Sequence, residues 1–166
     1  MNDFSHLRHK PPTVLAEPRP LVVACSPLRS NINLSRIVRA AGCCGVGKVI
    51  ACGAAKVISR IARDGADQVA VEVHRTLPPV LRELRQQGYS IVALEQATNS
   101  QSLFDFRFER RTALVVGNER TGLTEEELRL VDRVVEIPVY GLPYSHNVAT
   151  ATAIAIYEYC RQFPAG

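Results

Sequence analysis

Three short stretches of the chain concentrate residue types able to bind a ligand or carry a reaction. Gly117-Asn118-Glu119-Arg120-Thr121-Gly122-Leu123 places an amide, a carboxylate and a guanidinium between two glycines. Glycine permits tight turns and close backbone approach to a ligand, so this stretch suits a turn that holds an adenosine or a catalytic hydrogen bond. An ordinary strand-to-helix turn capped by Asn118 or Glu119 is the equal alternative. The stretch matches neither the G-x-G-x-x-G nor the P-loop pattern, so the usual NAD and ATP signatures are missing. The second stretch, Ile137-Pro138-Val139-Tyr140-Gly141-Leu142-Pro143-Tyr144-Ser145-His146-Asn147, is stiffened by two prolines and runs into a helix start. Ser145 and Asn147 there serve either as plain N-caps or as ligand contacts. In the third, Asn33 to Ala41, residues Leu34, Ile37, Val38 and Ala41 fall on a buried helical stripe. Arg36 and Arg39 lie off that stripe. With Arg29 they form a cationic patch near a helix N-terminus, which itself attracts anions, or else a solvated arginine pair.

Such residues need a scaffold that holds loops side by side. Apolar runs at 21–25, 48–53, 70–74, 89–94, 112–117 and 132–137 read as strands. Helices are expected at about 33–45, 56–63, 77–87, from Thr124 onward, and over 145–162. Thr124 with Glu127 forms a capping-box pattern that starts a helix. Strands alternating with helices predict an α/β fold, a mainly parallel sheet covered on both faces. Sheets of this kind bind ligands beyond the carboxyl ends of their strands. The unusual loops, 95–100, 117–123 and 138–147, all follow strand ends, so one composite site is expected. Ala149, Ala151, Ala153 and Ala155 allow the terminal helix to pack closely on a partner subunit.

The 166 residues suit one domain. A proline- and charge-rich arm over 1–20 reads as extended or loosely ordered, with the domain itself over 21–166. No apolar run reaches the ~18–20 residues of a membrane span. The first residues lack the apolar core of a secretory signal, so a cytoplasmic protein is expected. Cys25, Cys43, Cys44, Cys52 and Cys160 form no C-x-x-C pair and have no histidine at zinc-ligand spacing. Reduced, buried thiols are expected, with no metal. The formal charge is only +4, but nearly all of the positive charge is arginine. Its planar fork suits phosphate and stacks on bases, a modest pointer to nucleic acid.

Taken together and in this order, the three stretches resemble the motifs of the SpoU/TrmH family of the SPOUT methyltransferase superfamily. Asn33 with Arg39 resembles the first motif, Gly117, Glu119, Gly122 and Leu123 the second, G-x-E-x-x-G-L. Ile137, Pro138, Gly141, Ser145 and Asn147 resemble the third. The resemblance covers roughly 21–161. His146 departs from it, since the family usually has an apolar residue there; it reads as a packed or surface histidine, or as one near the substrate. The extra RNA-binding domain of many relatives is not expected here, and the arm with His6, Arg8, His9 and Lys10 either substitutes for it in part or is disordered.

The resemblance implies a SPOUT fold with a deep C-terminal trefoil knot whose loops bind S-adenosylmethionine (SAM). Leu94, Glu95 and Gln96, then Gly117 and Asn118, then Ile137, Leu142 and Ser145 would form the pocket, with Asn147 and Val148 alongside. It implies methyl transfer to a ribose 2′-hydroxyl of RNA, with Arg39 activating or orienting the hydroxyl. Asn33, Glu119, Ser145 and Asn147 would shape the network around it. A guanidinium pKa above ~12 makes phosphate binding and stabilisation of the 2′-oxygen the safer role for Arg39. Arg29, Arg36, Arg39 and Arg120 are the expected RNA contacts. The family's sites are completed across a homodimer and need no metal. tRNA is favoured over rRNA, because a small single-domain enzyme can reach a compact stem-loop. Two other readings stay open: a non-catalytic RNA-binding or ribosome-assembly protein of the same fold, and a base-methylating SPOUT enzyme.

Overall fold

Strand β1 (Arg19–Cys25) shows why the sheet lies inside the molecule. Successive side chains of a strand point to opposite faces. Leu21, Val23 and Cys25 join one apolar cluster, whereas Val22 and Ala24 join another. A strand apolar on both faces must be covered twice, and a parallel sheet flanked by helices provides that.

The structure is a computed structural model that describes residues 2–166; Met1, the first residue of the expected arm, lies outside the described residues. After β1 come α1 (Asn31–Cys43), β2 (Val46–Cys52), α2 (Ser59–Ala62), α3 (Gly65–Gln68) and β3 (Ala70–His74). Then follow α4 (Leu77–Gln86), β4 (Ser90–Leu94), β5 (Gln101–Ser102), β6 (Thr112–Val116), α5 (Glu125–Leu128), β7 (Arg133–Glu136) and α6 (Val148–Gln162). The strands form one seven-stranded sheet in the order β3-β2-β1-β6-β4-β7-β5, and every strand pair is parallel. The expected α/β architecture is the one observed. Leu34, Ile37, Val38 and Ala41 of α1 and Ala155, Ile156 and Tyr159 of α6 cover one face. Leu77, Val80, Leu81 and Leu84 of α4, with Leu128 of α5, cover the other.

Several boundaries differ from expectation for identifiable reasons. Helix α1 begins earlier because the Ser30 hydroxyl accepts the Asn33 N–H and caps it. Helix α2 is shorter because the backbone N–H groups of Lys56 and Ile58 donate to Asn31 Oδ1 and Ser35 Oγ, at 3.0 and 2.8 Å. That holds 56–58 extended. Helix α6 starts at Val148, since Asn147 rather than Ser145 caps it. The capping box of Thr124 and Glu127 forms in both directions, as read. Cys25, Cys44 and Cys52 are buried, but Cys43 ends α1 in an exposed position and Cys160 is half-buried. Among the described residues, no helix is long and apolar enough to cross a membrane.

Asn147, the third motif's last residue, caps helix α6, so the anchoring of that helix positions the site. Tyr159 is 1% exposed, and its hydroxyl donates to the Arg110 carbonyl. Its ring packs edge-on against Phe108, with centroids 5.7 Å apart. Clamped there and packed on α1, the helix presents its N-terminus at the carboxyl ends of the strands.

Candidate active site

Strands β6, β4 and β7 are consecutive in the sheet, so the loops leaving their carboxyl ends stand side by side. Together they enclose a cavity of about 280 Å³. Leu94, Glu95 and Gln96 line it from β4, and Gly117 and Asn118 from β6. Ile137, Ser145 and Val148 line it from the connection between β7 and α6. These eight were expected there. Leu142 was expected too, but it stands 76% exposed and outside the cavity. It sits on a solvent-facing loop, and an apolar residue beside a proline carries no local signal of its direction. Glu136, Val139, His146 and Ala151 line the cavity without having been singled out for it. Ala151 had a signal, because it follows Val148 by one helical turn on the same face. His146 is exposed and borders the cavity, so of its two readings the one near a ligand has geometric support.

The glycines of the second motif are there for close packing. A Cβ on Gly117 would come within 2.5 Å of the Gly122 carbonyl carbon and 2.7 Å of Leu123 N. The crowding arises because Asn118 and Gly122 exchange backbone hydrogen bonds of 3.1 and 2.9 Å. Gly122 has φ +66°, and a Cβ on it would lie 2.6 Å from Glu95 Oε2, the oxygen that accepts the Leu123 N–H at 3.0 Å. Glu95 thus fastens the first loop to the second. Gln96 Nε2 donates to the Tyr144 carbonyl at 2.9 Å and fastens the first loop to the third. Asn118 closes its own turn, accepting the Arg120 and Thr121 N–H groups, and its amide donates to the Pro27 carbonyl.

A second set of bonds joins the motifs. The Glu119 carboxylate accepts the Arg29 N–H at 2.7 Å, the Ser30 N–H at 3.0 Å and Asn33 Nδ2 at 3.0 Å. Asn147 Nδ2 donates to Asn33 Oδ1 at 3.2 Å, while Asn147 Oδ1 accepts the Ala149 and Thr150 N–H groups. One chain of hydrogen bonds therefore runs from the start of α1 through Glu119, Asn33 and Asn147 into α6. Burial pushes the Glu119 carboxyl pKa up, but the bonds from Arg29, Asn33 and Ser30 outweigh it and hold it below the usual carboxylate range. The group stays ionised and serves as an acceptor that locks the start of α1 to the glycine-bracketed loop.

The structure brings Asn33, Glu119 and Asn147 into contact, with Ser145 at the cavity wall. Asn147 is expected in the wall but is taken up by capping and by Asn33. Arg39 is not brought in. It lies exposed, beside a different hollow of about 260 Å³ that it shares with Arg63 and Gly65. Of the other arginines, Arg120 lines the main cavity, and Arg29 and Arg36 are exposed.

A model of the family described as "SpoU rRNA Methylase family" matches residues 20–157. The chain belongs to that family. Among SpoU relatives, the tRNA (guanosine(18)-2'-O)-methyltransferase of Escherichia coli strain K12 is 33% identical over 153 residues, covering 90% of this chain and 67% of that protein. The crystal structure of the Aquifex aeolicus TrmH/SpoU tRNA modifying enzyme superposes with a TM-score of 0.83 at 30% identity, covering 90% of this chain and 78% of that one. The SpoU methyltransferase AviRb from Streptomyces viridochromogenes, solved in complex with AdoMet, gives a TM-score of 0.78 at 26% identity, covering 91% of this chain and 63% of that one. The helix-flanked parallel sheet of this chain is thus the architecture of solved SpoU methyltransferases.

Proposed function

We propose that this protein is a SAM-dependent methyltransferase acting on a ribose 2′-hydroxyl of tRNA. The observation that carries the reading is the Glu119–Asn33–Asn147 chain, whose Glu119 lines the strand-end cavity, in a member of the SpoU family. The family description speaks of rRNA, whereas the relatives similar over most of this chain are named for tRNA. The latter support tRNA.

The cavity's chemistry fits SAM. Leu94, Ile137, Val139 and Val148 offer apolar walls for an adenine, with Gln96 and Ser145 as polar groups that fix orientation. The backbone at Gly117 and Gly122 is bare of side chains, so the cofactor could approach it closely. When bound, SAM supplies an electrophilic methyl group. The protein's own task is to align the 2′-oxygen, and alignment can supply up to about 7–11 kcal/mol in favourable models. Glu119, Asn33 and Asn147 hold the start of α1, the 117–123 loop and the 138–147 connection at fixed relative positions for this purpose. Arg39, with its guanidinium permanently charged, would bind the neighbouring phosphate and stabilise the developing charge on the 2′-oxygen.

Because Arg39 faces away from its own chain's cavity, it would serve the cavity of a second copy in a homodimer. Exposed Ile32 on α1 and Tyr157 on the adjoining α6, 45% and 57% exposed, support a packing face there. The 117–123 and 138–147 connections would form the trefoil knot. The placement of the late strand β7 inside β5, followed by the return of α6 onto α1, supports such threading. Five free cysteines suit the reducing cytoplasm.

The test is incubation with methyl-labelled SAM and separate tRNA and rRNA pools from cells lacking the protein, followed by nucleoside mass analysis. A new 2′-O-methylnucleoside in tRNA is expected. One found only in rRNA would move the substrate, and a methylated base would refute the ribose assignment.

A further inference from the structure

Charge is very unevenly distributed along this chain. From Pro18 to Arg63 there is no Asp or Glu, yet eight Arg and Lys residues occur there, in a protein of formal charge +4. Two of the eight are used inside the fold. Arg19 donates to the carbonyls of Cys44 and Phe163 at 2.7 and 2.5 Å, and Lys48 pairs with Glu72 at 2.6 Å. The other six, Arg29, Arg36, Arg39, Lys56, Arg60 and Arg63, are all exposed. None of them has a carboxylate partner among the described residues. Elsewhere on the surface pairing is common: Arg82 with Glu126, Arg85 with Asp132, Arg110 with Glu17, Arg129 with Glu125, Arg161 with Glu158.

The fold gathers these free cations. The 54–63 strap runs beside α1, stitched to it by the Lys56 and Ile58 backbone donors on Asn31 and Ser35. Its far end turns in tightly. A Cβ on Gly65 would lie 3.0 Å from the Val38 carbonyl oxygen and 3.2 Å from Arg39 Cα. That approach sets Arg63 beside Arg39, and the two border one hollow of about 260 Å³. The turn is made by Arg63 itself, at φ 55° and ψ −140°, a conformation that costs an L-residue strain and that glycine adopts freely. Among the described residues the Arg63 side chain makes no hydrogen bond or ion pair in return. An arginine held in a glycine conformation, exposed and unpaired, has no use inside the fold that offsets the strain. Its use is outside.

We propose that the 54–63 strap is a track for the RNA backbone, and that Arg63 and Arg39 grip one phosphate across their shared hollow. The proposal rests on the reading of an RNA substrate given above. Five of the six free cations are arginines, whose planar fork matches phosphate oxygens, and Lys56, Arg60 and Arg63 spaced along one strap match a linear polyanion. The strap lies alongside the same α1 that carries Arg39, so RNA held on it would continue towards the reacting ribose.

The test uses the full chain with the substitutions Lys56→Gln, Arg60→Gln and Arg63→Gln combined, and with Arg63→Gly alone. tRNA binding is measured at several salt concentrations, and methyl transfer and SAM affinity are measured alongside. Each phosphate contact contributes roughly 0.7–0.9 to the slope of log affinity against log salt. The combined variant should lose about 2 from that slope and raise the KM for tRNA at least tenfold, with kcat and SAM affinity unchanged. Arg63→Gly should melt no lower than the parent, because strain is relieved, and should lose a little under 1 from the slope. Parental slopes in both variants would overturn the proposal, and so would an Arg63→Gly protein that melts lower yet keeps its slope. If the parent methylates no RNA, the proposed function fails, and the binding slopes still decide the track.

Discussion

Replacing Glu119 by glutamine tests the bond chain with the least change of shape. The carboxylate now accepts three hydrogen bonds, one of them on Oε2 from the Arg29 N–H at 2.7 Å. In the amide, one oxygen can still serve Ser30 and Asn33, but an NH2 group then faces the Arg29 N–H, donor against donor. A hydrogen bond to a charged group contributes about 1.5–3 kcal/mol. Glu119 is only partly buried, so the low end applies, about 1.5–2 kcal/mol. For a chain of this size, that lowers Tm by about 3–8 °C. If the same loss falls on loop alignment in the transition state, kcat/KM drops about 10- to 30-fold. Acidity adds a sharper criterion. The folded carboxyl titrates below its ordinary value of about 4.3, so its contribution is fully present above that pH. It is lost as pH falls through the lower, folded value. The difference in Tm between parent and Glu119→Gln should therefore be constant from about pH 8 to 5 and close below about pH 4. Equal Tm values at pH 7, or a gap that persists undiminished at pH 3, would refute this account of Glu119.

Asn147→Ala removes the α6 cap, worth about 0.5–2 kcal/mol, together with the bond to Asn33; melting should fall by a few degrees and transfer should fall further. Asn147→Ser should recover most of the stability but not the transfer, which a thermal melt and a transfer assay separate. Gly122→Ala sets a Cβ 2.6 Å from Glu95 Oε2 at φ +66° and should weaken SAM at least tenfold by calorimetry, with Gly47→Ala, which meets open space, as the neutral control. Arg39→Ala should abolish methyl transfer and leave SAM affinity unchanged. Mixing it with an Asn33→Ala protein should restore part of the transfer, because a mixed dimer holds one intact composite site; no recovery would place Arg39 in its own chain's site.

Much of the fold was legible because it is dictated locally. The apolar character of β1 on both faces calls for cover on both sides, and the Thr124–Glu127 box stops and starts the chain where its own side chains bond. What was not legible depends on distant partners or on very short elements. Residues 56–58 look helical, but their backbone donors are taken by Asn31 and Ser35, more than twenty residues earlier. Helix α3 has four residues and β5 two, too few for either periodicity to register. The turn before α3 needs a glycine-like backbone at Arg63, and the residue there gives the opposite signal.

The site shows the same division, and helix geometry explains its main surprise. Asn33 and Arg39 read as one motif in the sequence, yet both lie within α1. Six residues of helix separate them by about 9 Å along the axis and about 120° around it. If Asn33 turns towards Glu119 and Asn147, as it does, Arg39 cannot also face them from the same straight helix. No choice of rotamer alters that phase. A reaction that needs both residues at one ribose must therefore take them from two helices, and a second copy of this chain is the simplest source of the other. The amide–carboxylate chain is the part of the site that a single chain builds alone, and Arg39, a third of a turn away on α1, stands outside it.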